Sequence, residues 1–190
     1  MARKTLEQAG KALTAVDKAA HDALKPYRRT AAVRALTLAA KIGDQPPLLG
    51  LAGGVLALGL VRRDGRMARA GARMIAAHLL ATAGKNFAKR RIDRTRPRSA
   101  GGKSGSRIKP GRSKAKEKTS FPSGHSAGAI AVARAFARDY PEHKAPALAA
   151  GALVALAQIP RAAHYPSDVA AGLAIGLAAE KAVDLVWPAG

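Results

Sequence analysis

The stretch AQIPRAAHYPSD, residues 157–168, joins two apolar runs of the chain and contains the residue pair on which the interpretation of the sequence depends. If a helix begins near Pro166, Asp168 lies in its first turn, within reach of the ring of His164. A carboxylate bonded to one ring nitrogen fixes the tautomer and leaves the lone pair of the other nitrogen free as a nucleophile. Alternatively, Asp168 only caps the helix and His164 is a loop histidine. This stretch alone is compatible with both interpretations.

Five apolar runs recur along the chain, at residues 45–61, 74–84, 119–133, 145–160 and 169–179. None alternates in the manner of a strand, so we predict an all-α fold. Each run is shorter than the roughly 20 residues of a straight membrane-spanning helix, as expected for buried helices of a soluble bundle. However, the runs are apolar on all sides, and the spacing of Gly172 and Gly176 is typical of closely packed membrane helices. From hydropathy alone, a soluble bundle and a transmembrane bundle are both possible.

The charge of the chain indicates what kind of partner it has. Lysine and arginine number 33 against 12 acidic residues, which gives a formal net charge of +21. Anionic partners are therefore expected, and nucleic acid, acidic lipid headgroups and phosphorylated substrates all meet this condition. No recognition-helix or zinc-finger pattern is present, so we expect no specific nucleic-acid partner. The absence of cysteine excludes disulfides and thiolate metal sites.

The chain is long enough for one domain, and its segments differ in composition. Residues 1–29 are predicted to form a polar, amphipathic N-terminal helix rather than a signal peptide, and residues 30–190 to form the main helical domain. Residues 61–73, VRRDGRMARAGAR, are predicted to be a basic connector. Residues 98–118 contain hardly any apolar side chains and are predicted to be a flexible basic loop.

Residues 121–126, FPSGHS, precede an apolar run and have the composition of a helix N-terminus. Free backbone N–H groups and the positive end of the helix dipole favour an anion there. Gly124 allows a close approach to the backbone, and Ser123 offers a hydroxyl group. A simple helix cap would explain Ser123 but leaves His125 unexplained, so a cap and a phosphate cradle both stay open at this point.

A third group of basic residues lies earlier in the chain. Lys89 and Arg96 are seven positions apart, about two helical turns, and would share a face if the helix continued between them. Pro97 disfavours helix at the residue before it and marks the end of the element. A lysine and an arginine near a helix end can bind phosphate oxygens, the arginine through two parallel hydrogen bonds. A solvated basic face would contain the same residues.

Taken in order, Lys89-x6-Arg96-Pro97, then Pro-Ser-Gly-His at 122–125 and His-Tyr-Pro-Ser-Asp at 164–168 resemble the motifs of the type 2 phosphatidic acid phosphatase family. The resemblance extends from Lys89 to Gly172, and the second and third motifs are its specific part. It implies a transmembrane bundle of about six helices after the N-terminal amphipathic helix, with the motif-bearing helix ends on one side.

The resemblance also implies an enzyme that needs neither a metal nor another cofactor and that binds vanadate as a phosphate analogue. His164 would attack the phosphorus and form a phosphohistidine, Asp168 would hold its ring, and His125 would donate a proton to the leaving oxygen. The phosphate oxygens would be held by four groups: Lys89, Arg96, Ser123 and the backbone N–H of Gly124.

The third motif departs from the family pattern, which has Ser-Arg at the positions of Ala157 and Gln158. Arg161 lies about one helical turn further on and is predicted to bring a guanidinium to the same anion from another angle. If it does not, the phosphate site has lost one charged hydrogen bond of about 1.5–3 kcal/mol, which would impair turnover.

The function implied by the resemblance is a membrane phosphatase that hydrolyses a lipid phosphate or a polyprenyl diphosphate. Its partners would be the lipid substrate and the bilayer of a cell inner membrane, with the active site on the outer side. Basic residues occur on both presumed sides, so the side follows from the resemblance and not from the charge distribution. The alternative is a noncatalytic or impaired membrane protein that only binds anions or lipid phosphates, because Ala157 and Gln158 replace Ser-Arg.

Overall fold

The computed structural model describes residues 2–100 and 107–188, and its regular structure is almost entirely helical. The α-helices are α1 (Ala2–Leu24), α2 (Ala31–Ala39), α3 (Gln45–Val61), α4 (Gly65–Lys89), α5 (Gly124–Asp139), α6 (Lys144–Leu156) and α7 (Pro166–Val186). Two short strands, β1 (Ile92–Asp93) and β2 (Lys109–Pro110), pair in antiparallel fashion. The prediction of an all-α bundle with an N-terminal helix is confirmed. The sequence did not indicate this two-residue pairing or the isolated bridge between Arg94 and Thr119.

Helix α5 lies at the centre of the bundle and packs against α4, α6 and α7. Its side chains are mostly short and buried. Two glycines of α7 allow a close approach, because a Cβ atom at Gly172 or Gly176 would collide with the carbonyl oxygens of Ser123 and Ala127. The small-residue spacing noted in the sequence therefore packs α7 against the start of α5, which carries the second motif.

Local sequence sets the two helix starts that carry the second and third motifs. The Ser123 hydroxyl accepts a hydrogen bond from the N–H of Ser126 at 3.3 Å and caps α5. At the start of α7, the Asp168 carboxylate accepts a hydrogen bond from the N–H of Tyr165 at 2.9 Å. The N–H of Ser123 also donates to the carbonyl oxygen of Asp168 at 2.9 Å, so the two helix starts are joined directly.

The interpretation of residues 61–73 as a connector is wrong, because α4 begins within them. Arg73 is fully buried and donates a hydrogen bond to the Asp184 carboxylate at 2.9 Å. Arg69, one turn earlier, donates to Asp139 at 2.6 Å. These arginines are therefore parts of an ion-pair cluster at the end of the bundle where α4 begins, not of a solvated linker.

The described part of the predicted loop 98–118 contains β2 and a 3-10 helix, Lys116–Lys118. The N–H of Arg96 donates to the carbonyl oxygen of Glu117 at 2.8 Å, so this segment fixes the backbone that follows β1. Residues 101–106 of the predicted loop lie outside the described residues. The other 3-10 helices are Lys25–Arg29, Ala40–Gly43, Pro97–Ser99 and Pro141–His143.

The lengths of the helices bear on the membrane prediction. Taken one at a time, none of the described helices is both long enough and apolar enough to cross a bilayer. The segments Ala31–Gly43 and Gln45–Val61 reach the required length and composition only as a pair, with a bend of 56° between them. The 3-10 helix Ala40–Gly43 lies at this bend and is separated from α3 by Asp44 alone.

Candidate active site

A cavity of about 240 Å³ opens where the end of α4, the starts of α3 and α5, and the segment before α7 meet. Of the eight residues predicted for the site, five line this cavity: Lys89, Arg96, Gly124, His125 and His164. The three sequence motifs are far apart in the chain, and the fold brings them to one volume.

His164 lies at the inner wall of the cavity and is 2% exposed. Its Nδ1 lies 2.7 Å from the carbonyl oxygen of Ser120, which can only accept a hydrogen bond, so Nδ1 carries the proton. The lone pair is then on Nε2, which lies 3.4 Å from Nη1 of Arg96. Burial lowers the pKa of His164 to about 4, and the neighbouring Asp168 carboxylate offsets this only in part. The ring is therefore neutral and in the tautomer that a nucleophile needs.

Asp168 lies behind His164 and does not line the cavity. Its Oδ2 is 3.7 Å from Nδ1 of His164, beyond hydrogen-bond distance, so the direct carboxylate–imidazole bond expected from the sequence is not formed. The same oxygen instead accepts a hydrogen bond from the Ser120 hydroxyl at 2.5 Å. Ser120 thus contacts both groups, through its carbonyl to the ring and through its hydroxyl to the carboxylate.

A buried arginine that the sequence analysis did not single out holds this carboxylate. Arg94 Nη1 donates to Oδ1 of Asp168 at 2.5 Å and to the Ser167 hydroxyl at 2.7 Å. On its other side Arg94 forms an ion pair with Asp17 of α1, which is 1% exposed. The N–H of Ser167 also donates to Asp17 at 3.0 Å. The N-terminal helix is thereby connected to the segment that carries His164.

Lys89 and Arg96 reach the cavity by a different route from the one predicted. Helix α4 ends at Lys89, so the two residues do not share a helical face, and the chain returns through β1 to bring Arg96 back. The Lys89 ammonium donates to the carbonyl oxygen of Thr119 at 2.5 Å, and Arg96 Nε donates to that of Lys116 at 2.8 Å. Burial, with the nearby cations of Arg96 and Lys85, lowers the pKa of Lys89 to about 8.

His125 faces the same cavity from the first turn of α5. Its Nε2 lies 2.8 Å from Oδ1 of Asp44, the residue directly before α3. Burial lowers the pKa of His125 from its ordinary value of 6.5, and the Asp44 carboxylate works in the opposite direction. A histidine with a carboxylate partner at the mouth of a basic cavity is suited to exchange a proton with a bound ligand.

The cavity as a whole is arranged for an anion. Lys85, Lys89 and Arg96 contribute cations, while Asp44 is the single carboxylate among the lining residues. The N-terminus of α5 adds backbone N–H groups and the positive end of a helix dipole at Gly124. The described residues contain no cluster of three or more His, Cys, Asp or Glu side chains that could hold a metal ion.

Residues 70–187 match the sequence model of the PAP2 superfamily, which is more than half of the chain. The chain belongs to the PAP2 superfamily. The recognition based on the three motifs is confirmed, and the motif residues all lie within or beside this matched region.

Among curated relatives of this PAP2 protein are the lipid A 1-phosphatases of Rhizobium etli and Rhizobium johnstonii, each 44% identical over 57 residues. The match covers 30% of this chain and 25% and 23% of the two relatives, so it spans about a quarter of their length. Among solved structures, the transmembrane PAP2 type phosphatidylglycerolphosphate phosphatase from Bacillus subtilis is similar, with a TM-score of 0.64 at 22% identity. That match covers 92% of this chain and 86% of the other, and it shows a shared PAP2 fold.

Two of the predicted phosphate-binding residues do not line the cavity of this PAP2 protein. Ser123 is fully buried, and its hydroxyl oxygen is occupied by the N–H and the hydroxyl of Ser126, the latter at 2.8 Å. Arg161 donates a hydrogen bond to the side-chain oxygen of Gln158 at 3.2 Å. Gln158 itself is buried and donates to the carbonyl oxygen of Val154 at 2.8 Å, so its side chain turns back onto α6.

Other lining residues were missed by the motif analysis. They are Gly43, Asp44, Gln45, His78, Thr82 and Lys85. The first three come from the start of α3, and the others from the last turns of α4 before Lys89. None belongs to a motif, although the regular spacing of His78, Thr82 and Lys85 on one helical face was available in the sequence as a signal.

Proposed function

We propose that this chain is a phosphatase that hydrolyses a lipid phosphate ester through a phosphohistidine formed on His164, without a metal. The observation that carries the proposal is that His125 and His164 line one cavity together with Lys89 and Arg96. The neutral state of His164 and the hydrogen bond from its Nδ1 to a backbone carbonyl support its role as the nucleophile.

In the first step Nε2 of His164 attacks the phosphorus, and the bond between phosphorus and the ester oxygen breaks. His125, protonated when the dianionic substrate is bound, donates a proton to the departing oxygen, so the lipid alcohol leaves neutral. Lys89, Arg96 and the N–H of Gly124 stabilise the charge that spreads over the phosphoryl oxygens in the transition state.

In the second step a water molecule attacks the phosphohistidine. His125, now neutral, takes a proton from this water, and the bond between phosphorus and Nε2 of His164 breaks. Inorganic phosphate is released, and both histidines return to their starting states. Asp168, Ser120 and Arg94 do not touch the phosphate in this scheme, and they keep the His164 ring in its orientation through the network described above.

A lipid as the leaving group is supported by an apolar groove beside the cavity. The groove has a volume of about 300 Å³ and lies between α3, α5 and α6. Ile42 and Leu48 line the groove and flank the cavity residues 43–45 in the chain. The ring of His125 lies against Gly43, where a Cβ atom would be 3.3 Å from it. The names of the relatives, lipid A 1-phosphatase and phosphatidylglycerolphosphate phosphatase, point to lipid phosphates as well.

The proposed function also implies where the protein is located and which side of the membrane its cavity faces. The protein would reside in the inner membrane with the cavity at its outer side, where a lipid headgroup can enter the site. Residues 30–190 would form the phosphatase domain, and residues 1–29 an N-terminal helix that contacts it through Asp17. Exposed apolar side chains on α3, α4, α6 and α7, such as Leu58, Phe87, Leu153 and Leu177, support contact with lipid.

The test is release of inorganic phosphate from phosphatidic acid, phosphatidylglycerophosphate, lipid A and undecaprenyl diphosphate in detergent micelles with EDTA present. We expect hydrolysis of at least one lipid, and a loss of at least about a thousandfold in His164→Ala. His143→Ala, at an exposed histidine outside the cavity, is the matched control and retains activity. Activity that His164→Ala retains, or that disappears with EDTA alone, would contradict the phosphohistidine scheme.

A second candidate function is favoured by the side chain of Gln158, which turns away from the cavity and leaves it without the arginine of the family pattern. In that case the protein binds anionic lipids or phosphate but does not turn them over. Vanadate binding by wild type, together with phosphate release equal to that of His164→Ala on every lipid, would support this candidate and exclude the first.

A further inference from the structure

Helix α1 lies outside the segment that matches the PAP2 model, yet it contributes one buried charge to the bundle. Among residues 10–24, the part of α1 whose side chains the structure describes, Asp17 alone is buried, and it is 1% exposed. Leu13 and Val16 of the same helix are more than half exposed. Burying a carboxylate is costly unless it gains polar partners, so the contacts of Asp17 indicate why this helix carries it.

Both oxygens of the Asp17 carboxylate bind at the start of α7. Oδ1 accepts a hydrogen bond from the N–H of Ser167 at 3.0 Å, and Oδ2 accepts one from the Ser167 hydroxyl at 2.5 Å. Oδ2 also forms an ion pair with the guanidinium of Arg94. The first N–H groups of a helix have no partner within the helix and favour a negative charge nearby, so Asp17 caps α7 from a second helix.

Arg94 is shared between two carboxylates. Its Nη2 faces Asp17, while its Nη1 donates to Oδ1 of Asp168 at 2.5 Å. Its Cζ lies 4.3 Å from the centre of the Tyr165 ring. Because the guanidinium is planar and rigid, the position of one of its nitrogens determines where the other points. Asp17 therefore fixes the group that orients the carboxylate of Asp168.

The charges of these groups matter as much as their positions. Two carboxylates and one guanidinium give the group a net charge of −1. Oδ2 of Asp168 lies 3.7 Å from Nδ1 of His164, so this negative charge lies directly behind the ring. If Asp17 were neutral, the remaining pair of Arg94 and Asp168 would have no net charge. Asp17 thus compensates the charge of Arg94, and the negative charge behind the ring is retained.

We propose that Asp17 is a positioning residue for the proposed phosphatase reaction. It acts on His164 through Arg94 and Asp168. The inference rests on the proposed function, and it adds a residue from outside the matched segment, residues 70–187. Stability alone does not explain the ion pair, because well-packed apolar side chains often hold two buried elements together at least as firmly. A role in the chemistry of His164 explains both the charge of Asp17 and the partners that it contacts.

The effect of Asp17 belongs to the step in which His164 attacks. The lone pair of Nε2 forms the bond to phosphorus while Nδ1 keeps its proton, so the ring gains a positive charge. The electron pair of the broken bond leaves with the ester oxygen, which takes a proton from His125. A net negative charge behind the ring stabilises the developing positive charge. Because the ring is neutral when the substrate binds, Asp17 should affect kcat and not KM.

The test measures kcat and KM with the lipid of the panel above that wild type hydrolyses fastest. Asp17→Asn keeps the size of the side chain and removes its charge. It should lower kcat by about ten- to a hundredfold and change KM by less than about threefold. Asp17→Glu keeps the charge and should have a higher kcat than Asp17→Asn. An unchanged kcat in Asp17→Asn, or a loss that appears in KM alone, would overturn the positioning role.

A matched variant at the other end of the bundle controls for loss of stability. Asp184 contacts the buried guanidinium of Arg73 at 2.9 Å. Asp184→Asn therefore makes the same chemical change against another buried arginine, and it should lower the midpoint of thermal unfolding without changing kcat. Asp22→Asn, at an exposed position of α1, should change neither quantity. Equal losses of kcat in Asp17→Asn and Asp184→Asn would show that destabilisation causes the loss, and the proposal would be wrong.

A double variant tests whether Asp17 acts through Asp168. Residues of one hydrogen-bonded network have effects that do not add. In the Asp168→Asn background, Asp17→Asn should therefore lower kcat by less than about threefold. A loss as large as in the wild-type background would mean that Asp17 acts independently of Asp168, contrary to the proposal.

A binding measurement makes the test independent of turnover. Vanadate resembles the transition state when Nε2 of His164 is bonded to it, whereas phosphate resembles the product. In calorimetry, Asp17→Asn should weaken the binding of vanadate by at least about tenfold and that of phosphate by less than about threefold. Equal weakening of both anions, or of neither, would overturn the positioning role and leave the phosphatase function intact. Phosphate release by wild type equal to that of His164→Ala, with vanadate binding that still depends on Asp17, would overturn the function and keep the positioning role.

Discussion

At the residue scale, the states of His125 and His164 determine how activity should depend on pH. His164 must be neutral to attack, and burial lowers its pKa to about 4, so kcat/KM should rise as pH increases through about 4. His125 must be protonated to donate, and burial holds its pKa below 6.5, so kcat/KM should fall again as pH increases through that lowered value. We therefore expect a maximum in mildly acidic solution, measured with a soluble phosphate ester across pH 3–9.

The Asp44 carboxylate provides the check on this assignment. It lies 2.8 Å from His125 and raises the pKa of that ring. Asp44→Asn should therefore move the alkaline limb of the kcat/KM profile to lower pH and leave the acidic limb in place. A profile in which the acidic limb moves instead would mean that the two histidines have been assigned the wrong roles.

Substitutions of Arg96 and Arg161 should have very different effects on kcat/KM, although both residues are arginines that lie close to the third motif in the folded chain. Arg96 lines the cavity with its guanidinium 3.4 Å from His164, whereas Arg161 is bonded to Gln158 and is not among the lining residues. Arg96→Gln should lower kcat/KM by about ten- to a hundredfold and weaken inhibition by vanadate by a similar factor. Arg161→Gln should change both by less than about threefold. Equal losses in the two variants would restore Arg161 as the substitute for the missing arginine.

The site residues show where sequence motifs carry information and where they do not. A motif keeps residues such as Gly124 and His125 together on one helix start, so their common location follows from the chain itself. Asp44 and Lys85 reach the same cavity from α3 and α4, and only packing between helices brings them there. Ser123 was expected to hold phosphate because of its place in the motif, but the cap on α5 uses its hydroxyl.

At the element scale, helix α1 contacts the site through one carboxylate. Asp17 is buried and pairs with Arg94, which also holds Asp168. Asp17→Ala leaves part of a buried guanidinium unpaired and should lower the free energy of unfolding by about 3–5 kcal/mol. Asp22→Ala, at an exposed position of the same helix, is the matched control. Thermal unfolding in detergent measures both, and equal midpoints for the two variants would show that α1 does not depend on this ion pair.

The elements also differ in how well the sequence predicted them. The apolar run 45–61 coincides with α3, because a helix that is apolar on all sides stands out from its polar ends. The start of α4 was mistaken for a connector, because composition does not distinguish a solvated arginine from one such as Arg73 that is buried against a carboxylate. The partner, Asp184, lies more than a hundred residues away, so only the folded bundle reveals the pairing.

At the scale of the whole molecule, the two ends of the bundle have different polar structures. Helix α4 runs from the ion-pair cluster around Arg73 to the cavity at Lys89. In the cluster each arginine contacts a carboxylate, whereas the cavity has three cations and one carboxylate. The excess positive charge at the cavity end would attract anionic headgroups, and it would do so less strongly as salt increases.

The exposed surface of the protein predicts how it should partition between the membrane fraction and the soluble fraction of a cell. Large apolar side chains are exposed on six of the described helices, for example Leu60 at 64% and Phe87 at 62%, and exposed apolar surface of this kind marks contact with another protein or with lipid. If lipid covers this surface, the protein should stay with the membrane fraction in high salt and at alkaline pH and be released only by detergent. The measurement is fractionation of expressing cells, with a known peripheral basic protein as the control for release by salt. Complete release by salt without detergent would mean that charge alone holds the protein to anionic surfaces, and it would favour the anion-binding function over a phosphatase embedded in the bilayer.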